Sequence, residues 1–420
     1  PYFLGEETPK WARATSVQKC VRTQDIDEVG KTSRHGTFFQ MNGNFSFGDY
    51  FKEGAIELAW EFITGSEEDG CLGFDPEDVW VTVFETDDDA AELWKKIADL
   101  PDERIQRRGM EDNYWSTGAR GPAGPCSEIF YDRGPEFGTP DETGPNTGSG
   151  DRFMEIWNLV FMQYQRGAGI GKEDFEILGE LPQKNIDTGM GLERLATVVS
   201  GARDAYSTEL FMPVIRLLVE LSGKQYEDVK SVEHRIIADH VRAVTFAIAD
   251  GVPPANDGAG YVIKMLIRRA SRQAFLLGLH EPVLYELAGA VVEAMKEPYP
   301  ELVEAKERVQ SAIRAEEEQF LRTLGSGIER VGALLSELDG DVLGGDVAFD
   351  LWQTYGFPLD LTQDALRTRG INVDLSGFED AMAKQRAEAR KSWAGSGEAS
   401  EDKVWFAVAD QVGPTEFLGY

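Results

Sequence analysis

Apolar positions follow two spacings along this chain, and the change falls near residue 203. Before it, short blocks alternate or cluster as strands do. Residues 13–23 (RATSVQKCVRT) read as a strand with Arg22 near its end, and residues 34–41 (RHGTFFQM) as a second. Asn42-Gly43 is a turn signal, and 44–48 could equally be a loop. Residues 50–64 predict a helix with Ile56, Ala59, Trp60 and Phe62-Ile63 on or near one face. Residues 80–84 form a short strand, and 85–100 an acidic segment followed by a helix. Residues 113–132 hold Asn113-Tyr114-Trp115, a Gly/Pro turn over 118–125 and a strand over 127–132. Residues 134–150 have no pattern and predict a flexible surface loop. Residues 153–165 form a strand, in which Asn158 needs partners if buried. Residues 185–191 (NIDTGMG) enter a glycine-opened turn, and a helix follows from Leu192 to about Ser200.

Beyond that point helical spacing dominates to about residue 395. Patterns cover 206–221, 232–249, 261–277 and 301–337. In the last, Leu302, Val309, Ile313, Phe320, Leu324, Ile328, Val331 and Leu335 fit one helix face. Residues 394–403 read as a linker, and 404–408 begin another strand. The expected organisation is α+β: a sheet-bearing region over 1–203, a helical region over 204–395, and a linker with the start of a further domain over 396–420.

Composition adjusts this picture in three ways. A length of 420 residues suits two or three domains. The formal net charge of −32 argues against an overall basic, nucleic-acid-binding surface, so a local exception has to be sought. Lys264, Arg268 and Arg272 supply one, a basic stripe at i, i+4 and i+8, readable as a solvated face or as a phosphate contact. Cys20, Cys71 and Cys126 are far apart, without metal spacing, which suits a reducing, cytoplasmic setting and no zinc site. The acidic run 86–89 reads as a helix cap rather than a metal site. No apolar run has membrane-spanning length, so no membrane partner is expected.

Candidate chemistry gathers around residues 187–194 (DTGMGLER). Asp187 is a carboxylate, Gly189 and Gly191 leave the backbone bare, and Arg194 is a fixed cation one turn into a helix. An acid for an ammonium, a bare floor and a cation for phosphate suit a substrate that is part ammonium and part triphosphate. An ordinary strand–helix turn with a surface arginine is the competing reading. Arg22 and Arg34, each on a strand, would aim two more cations into one site, or simply decorate a hairpin.

Six blocks of this chain, in order, resemble the alanyl-tRNA synthetase family of class II aminoacyl-tRNA synthetases. They are residues 18–22 (QKCVR), 34–51 (RHGTFFQMNGNFSFGDYF), 124–132 (GPCSEIFYD), 155–163 (EIWNLVFMQ), 187–194 (DTGMGLER) and 237–251 (IADHVRAVTFAIADG). The resemblance runs from Pro1 to Tyr420. It implies a class II antiparallel sheet flanked by helices, then a helical tRNA-recognition domain. It also implies adenylation of alanine with ATP, with transfer of alanine to the 3′ end of tRNA(Ala). By the same resemblance Arg22 holds the α-phosphate and the alanine carboxylate. Arg34 faces the outer phosphates, Phe38 faces adenine, and Arg194, Gly189 and Gly191 also serve ATP. Asp187 receives the alanine ammonium, and Trp115, Asn158, Val160 and Gly189 shape the amino-acid pocket. Mg²⁺ shares the triphosphate charge, with Glu128 a candidate contact. Zinc is expected only in an editing domain, whose entrance residues 413–420 resemble.

Two matters bear on the tRNA side. Asn256 matches the family's reader of the acceptor-stem G·U pair, while Gln353 stands where an Asp is usual. Gln keeps an acceptor oxygen and adds a donor. Residues 259 and 265 are Ala and Met where the family usually has Arg, which thins the basic stripe. The chain opens at Pro1 in what reads as mid-domain sequence and is expected to be part of a longer protein. A catalytically silent tRNA-binding module and an adenylate-forming ligase with another acceptor remain open alternatives.

Overall fold

The computed structural model describes residues 1–392 except 24–25, 118–119, 140, 148–150, 171–173, 228–229, 338–339, 356, 358 and 368. The expected linker and everything in 396–420 lie outside the described residues. The described chain forms two compact units, one of Pro1–Glu318 and one that begins at Gln319. The change from sheet to helices after residue 203 falls within the first.

The first unit is built on one sheet. Its strands are β1 (Arg13–Val21), β2 (Phe38–Phe47), β3 (Val79–Phe84), β4 (Ile105–Arg108), β5 (Tyr114–Ser116), β6 (Gly121–Asp132), β7 (Phe153–Ile170) and β8 (Asp174–Gly191). They lie in the order β1-β2-β8-β7-β6-β3-β4, with β5 paired to β6. Neighbours run antiparallel except β3 and β4. α1 (Lys52–Thr64) and α2 (Asp88–Ala98) cover one face. Ile56, Ala59, Ile63 and Trp94 from these helices pack on Val81, Ile129, Leu159, Phe161, Ile186 and Met190. Period-2 alternation therefore turns Cys126, Glu128, Asn158, Val160, Asp187 and Gly189 to the opposite face.

Three strand expectations are corrected. Asn42-Gly43 does not turn: it continues β2, with Asn42 opposite Val17 of β1 and opposite Met190 of β8. The connection back from β1 is made earlier, by residues 22–37. Gly121–Pro125 belongs to β6 rather than to a turn. A Cβ on Gly124 would sit 1.9 Å from the Phe161 carbonyl oxygen, so its glycine permits an irregular, very close pairing with β7. The glycines of 187–191 open no turn either: β8 runs through Gly191 straight into α4 (Leu192–Val199). The patternless 134–150 segment is anchored where it is described. Glu142, Gly144 and Pro145 are buried, and Arg108 donates to the Pro145 carbonyl at 2.7 Å. Asp87 of the acidic run caps α2 at the Ala90 N–H (3.1 Å) and pairs with Lys52, as a capping role requires.

A short α3 (Met110–Asn113) precedes β5. The helical part of the unit comprises α5 (Met212–Ser222), α6 (Val232–Ala249), α7 (Gly258–Leu276), α8 (Leu284–Met295) and the start of α9 (Glu301–Glu337). Their apolar faces, among them Leu218, Val241, Leu266, Leu287, Leu302, Val309 and Ile313, share one core. In the second unit, Phe320, Leu324 and Val331 of α9 are buried, as the stripe predicts, while Ile328 and Leu335 lie outside the described side chains. That unit adds β9 (Val342–Leu343), α10 (Gly345–Tyr355), α11 (Leu359–Arg367), β10 (Asn372–Val373) and α12 (Leu375–Ser392).

Sheet and helices of the first unit meet at one buried carboxylate. Glu193, at the start of α4, accepts from the Gln40 backbone N–H on β2 at 3.0 Å and from Arg242 on α6 at 2.6 Å. The Arg242 guanidinium lies 4.8 Å above the Phe38 ring and 4.9 Å above that of Phe211. Arg242→Ala would strand Glu193 without its cation, with an expected loss of about 3–5 kcal/mol of unfolding free energy. Replacing both partners by Leu and Met should cost much less than the sum of the single changes. Urea denaturation of the four proteins in this cycle measures both quantities.

Candidate active site

The cleft face of the sheet carries two adjacent rungs of candidate site residues. Register places Cys126 opposite Val160 and Val160 opposite Asp187; two residues along, Glu128 faces Asn158 and Asn158 faces Gly189. Each of these residues lines one cleft of about 820 Å³. Gly189 forms part of the floor, and a Cβ there would come within 2.9 Å of Met41 Sδ. Trp115, on β5, stands partly exposed at the wall.

Arginines from three segments enter the same cleft. Arg22 follows β1; its backbone N–H donates to the Thr37 carbonyl at 2.9 Å, and its guanidinium lies 5.7 Å from the Phe39 ring centroid. Arg194, one turn into α4, donates to Glu155 Oε2 at 2.7 Å. Arg34 lies in the segment leading into β2. Burial, and then the nearby positive charge of Arg194, depress its pKa, partly opposed by Asp151, Glu155 and Glu142. Cations held close against their own repulsion make a site prepared for a polyanion.

Asp187 is the counterpart of those cations. Among the described residues its carboxylate has no hydrogen bond or ion pair, and burial alone raises its pKa to about 6. A desolvated acid without a partner is costly to keep, and it is well matched to a ligand ammonium. Glu128 is enclosed, 9% exposed, and accepts from Thr82 Oγ1 (3.3 Å) and from Asn158 Nδ2 (3.4 Å). Burial, then Glu155 and Asp112, push its carboxyl well above the usual range, against the pull of Thr82 and Arg194.

Expected site residues thus converge: Arg22, Arg34, Trp115, Glu128, Asn158, Val160, Asp187, Gly189, Gly191 and Arg194 all line one cleft. A match to the family model of class II (A) tRNA synthetases covers residues 1–420. The chain belongs to this family. Its relatives include the alanine–tRNA ligases of Mycolicibacterium smegmatis (53% identical), Thermus thermophilus (52%) and Streptomyces avermitilis (50%). Each alignment covers all of this chain but 47%, 48% and 48% of the relative, respectively. The chain therefore spans about half the length of these relatives. For a class II synthetase domain, the mainly antiparallel sheet flanked by helices is the α+β fold that the resemblance implied.

The structure revises several side-chain expectations within this class II domain. Phe38, expected to face adenine, is 2% exposed and stacks on Phe246 at 4.2 Å between ring centroids, under Arg242. Alternation along β2 turns Phe39 to the Arg22 side instead. The sequence already set the two rings on opposite faces, because one residue along a strand reverses the face, but not which of them is core. Glu128 does not suit a magnesium contact, since both of its oxygens already accept hydrogen bonds, from Thr82 and from Asn158. No cluster of three or more His, Cys, Asp or Glu placed to hold a metal occurs among the described residues.

The basic stripe is not an open face. Arg268 pairs with Glu316 at 2.7 Å and Arg272 is buried, because the stripe side of α7 turns partly toward its neighbours. Of the three, Lys264, which donates to Asn256 Oδ1 at 2.8 Å, stays near the surface beside the exposed Asn256. In the second unit, Gln353 is exposed on α10.

The Asp187 pKa sets a pH-dependent stability term. With the folded value near 6 and the ordinary value 3.8, the folded state binds this proton more tightly than the unfolded chain. Below the lower value both states are protonated and the group is neutral to stability. Between the two values the penalty grows, and above the upper one it is fully present, about 3 kcal/mol. Asp187→Asn should therefore raise the unfolding free energy at pH 8, by an increment that falls to about 0.5 kcal/mol at pH 4 and vanishes below about pH 3. Chemical denaturation at pH 8 and at pH 4 measures it.

Proposed function

We propose that this chain is the aminoacylation half of an alanine–tRNA ligase, acting on alanine, on ATP as its magnesium complex and on tRNA(Ala) in the cytoplasm. The observation that carries the reading is the pairing, in one cleft, of an unpartnered carboxylate, Asp187, with three arginines. The names of relatives at 50–53% identity support the choice of alanine.

In the first step an alanine carboxylate oxygen attacks the α-phosphorus, the α–β anhydride bond breaks, and pyrophosphate leaves. Asp187 holds the alanine ammonium and Arg22 its carboxylate and the α-phosphate, so the reacting atoms meet in line. Arg34 and Arg194 neutralise the charge that accumulates on pyrophosphate. Phe39, not Phe38, offers the aromatic face for the adenine base. Gly189 and Gly191 let the nucleotide and the amino acid lie close to the backbone. In the second step a 3′-terminal ribose hydroxyl of tRNA attacks the alanyl carbonyl, and AMP leaves.

Val160 and Trp115 limit the space beside the ammonium, which suits a methyl side chain. Exclusion of larger amino acids is steric, whereas glycine and serine differ from alanine by only about 1–3 kcal/mol of pocket contact. By the family resemblance Asn256, exposed in the first unit, is the side chain we assign to the acceptor stem; Gln353 of the second unit is a separate candidate, also exposed. Lys264 is the stripe residue left for phosphate contact, since Arg268 is paired with Glu316 of α9 and Arg272 is buried.

Alanine-dependent ATP–pyrophosphate exchange tests the chemistry. Exchange should require alanine and fall at least about a hundredfold in Asp187→Ala and in Arg22→Ala. Exchange that persists in both variants would count against this site. The two phenylalanines separate by a second assay: Phe39→Ala should raise the KM for ATP with little change in folding. Phe38→Ala should lower stability by about 3–5 kcal/mol through the cavity it leaves.

A further inference from the structure

Asn158 is half-buried in the pocket, and its amide is ambiguous by nature: one end donates, the other accepts. A ligand ammonium carries only donors, so the pocket works only if the carbonyl end is presented to it. Something has to keep the amide from turning over.

The structure contains a directed chain of hydrogen bonds that ends on this amide. Asn113 is fully buried, and its Nδ2 donates to the Cys126 carbonyl (3.1 Å) and to Thr82 Oγ1 (2.9 Å). Thr82 Oγ1 accepts there and donates its single proton to Glu128 Oε2 (3.3 Å). Glu128 Oε1 then accepts from Asn158 Nδ2 (3.4 Å). Asn158 Oδ1 is left buried and without a hydrogen-bond partner. An unpaired buried acceptor is expensive, and it persists where a ligand completes it. The partner of Glu128 is set by strand register, since Glu128 and Asn158 are direct cross-strand neighbours on β6 and β7.

We propose that Glu128 is a positioning residue that locks the Asn158 amide with its carbonyl oxygen toward the substrate, so that Asn158 Oδ1 and Asp187 together receive the ammonium. This rests on the amino-acid-activating reading above. Thr82 and Asn113 set the direction of the lock. None of the three needs to touch alanine. Selection for a free amino group over an isosteric hydroxyl then depends on a residue one hydrogen bond removed from it.

Glu128→Gln tests the lock with almost no change in shape. Thr82 still donates, so it takes the new side chain's oxygen. The NH₂ of that side chain then faces Asn158 and turns the amide over, which points a donor at the ammonium. The KM for alanine should rise at least about tenfold, while the KM for ATP and the thermal midpoint stay close to those of the unaltered chain. Asn158→Asp alone sets a second carboxylate against Glu128 and should also weaken alanine binding. Combined with Glu128→Gln it should restore binding, because a carboxylate accepts from the amide and from the ammonium at once.

An alanine KM unchanged in Glu128→Gln would overturn the lock. So would a rise that Asn158→Asp fails to reverse, or a joint loss of alanine and ATP binding with a lower midpoint. Calorimetric titration of L-alanine into the same four proteins reads the lock without needing turnover. Alanine binding without exchange in the unaltered chain overturns only the ligase reading, and the four-protein pattern still decides the lock. No alanine binding to the unaltered chain overturns both.

Discussion

The fold of the first unit depends on the placement of one buried carboxylate. Glu193 stands beside Arg194 in sequence, and the two point to different tasks. Arg194 enters the cleft; Glu193 turns inward and joins three elements, α4 by its own backbone, β2 through the Gln40 N–H, and α6 through Arg242. Gln40 in turn accepts from Tyr299 (2.7 Å), and Lys19 of β1 reaches Asp250 at the end of α6 and Glu301 at the start of α9. A buried ion pair adds little net stability, but it penalises every arrangement that separates its members. Its use here is to make sheet and helices one body, with Arg194 and the start of β2 fixed relative to each other.

That fixity matters because the cleft works by position. In the reaction we propose for it, in-line displacement at phosphorus asks the protein for aligned charges rather than a nucleophile. Rungs of a sheet deliver such alignment: cross-strand neighbours are set by backbone hydrogen bonds, so Val160 and Asp187, or Glu128 and Asn158, cannot drift apart without breaking the ladder. The cost appears as unfavourable electrostatics before substrate arrives. Asp187 is held ionisable where burial disfavours charge, and Arg34 is held beside Arg194. The two penalties have opposite signs of charge, and the zwitterion and triphosphate of the reading we propose would relieve both.

Which residues would gather in one cleft was more legible in the sequence than the layout of the strands. Asp187, Arg194 and the two glycines stand in one run, while Arg22 directly follows β1 and Arg34 lies four residues before β2 rather than on a strand. Side-chain chemistry at such positions is local, so residue type and spacing reveal it. What was hidden depended on tertiary contact. Asn42-Gly43 has turn chemistry, but burial between β1 and β8 overrides it. Gly124 looked like a turn because its glycine serves a close strand approach instead. Phe38 and Phe39 differ by one position, and only the packed α6 shows which ring is core. Arg268 and Arg272 form a stripe on paper, yet which side of α7 faces Glu316 is decided by helix packing.

Charge needs the same distinction between sum and place. A net −32 predicts repulsion of any polyanion at long range, screened beyond about 10 Å at ordinary ionic strength. The cleft itself is lined by Arg22, Arg34 and Arg194 together with Glu111, Asp112, Glu128, Glu155, Asp187 and Glu193. Attraction for an anion is therefore confined to the immediate surroundings of the guanidinium groups, where short distance and low-dielectric walls strengthen it. Arg194 is already engaged by Glu155, and Arg34 feels Asp151 and Glu142, so the basic groups are partly neutralised at rest. A phosphate that enters must compete with those carboxylates. It brings more charge than each one it displaces, and a planar guanidinium can exchange one pair of oxygens for another with little motion. The acids beside the cleft therefore hold the arginines in register for an anion rather than oppose it, and the overall acidity of the chain leaves local phosphate chemistry intact.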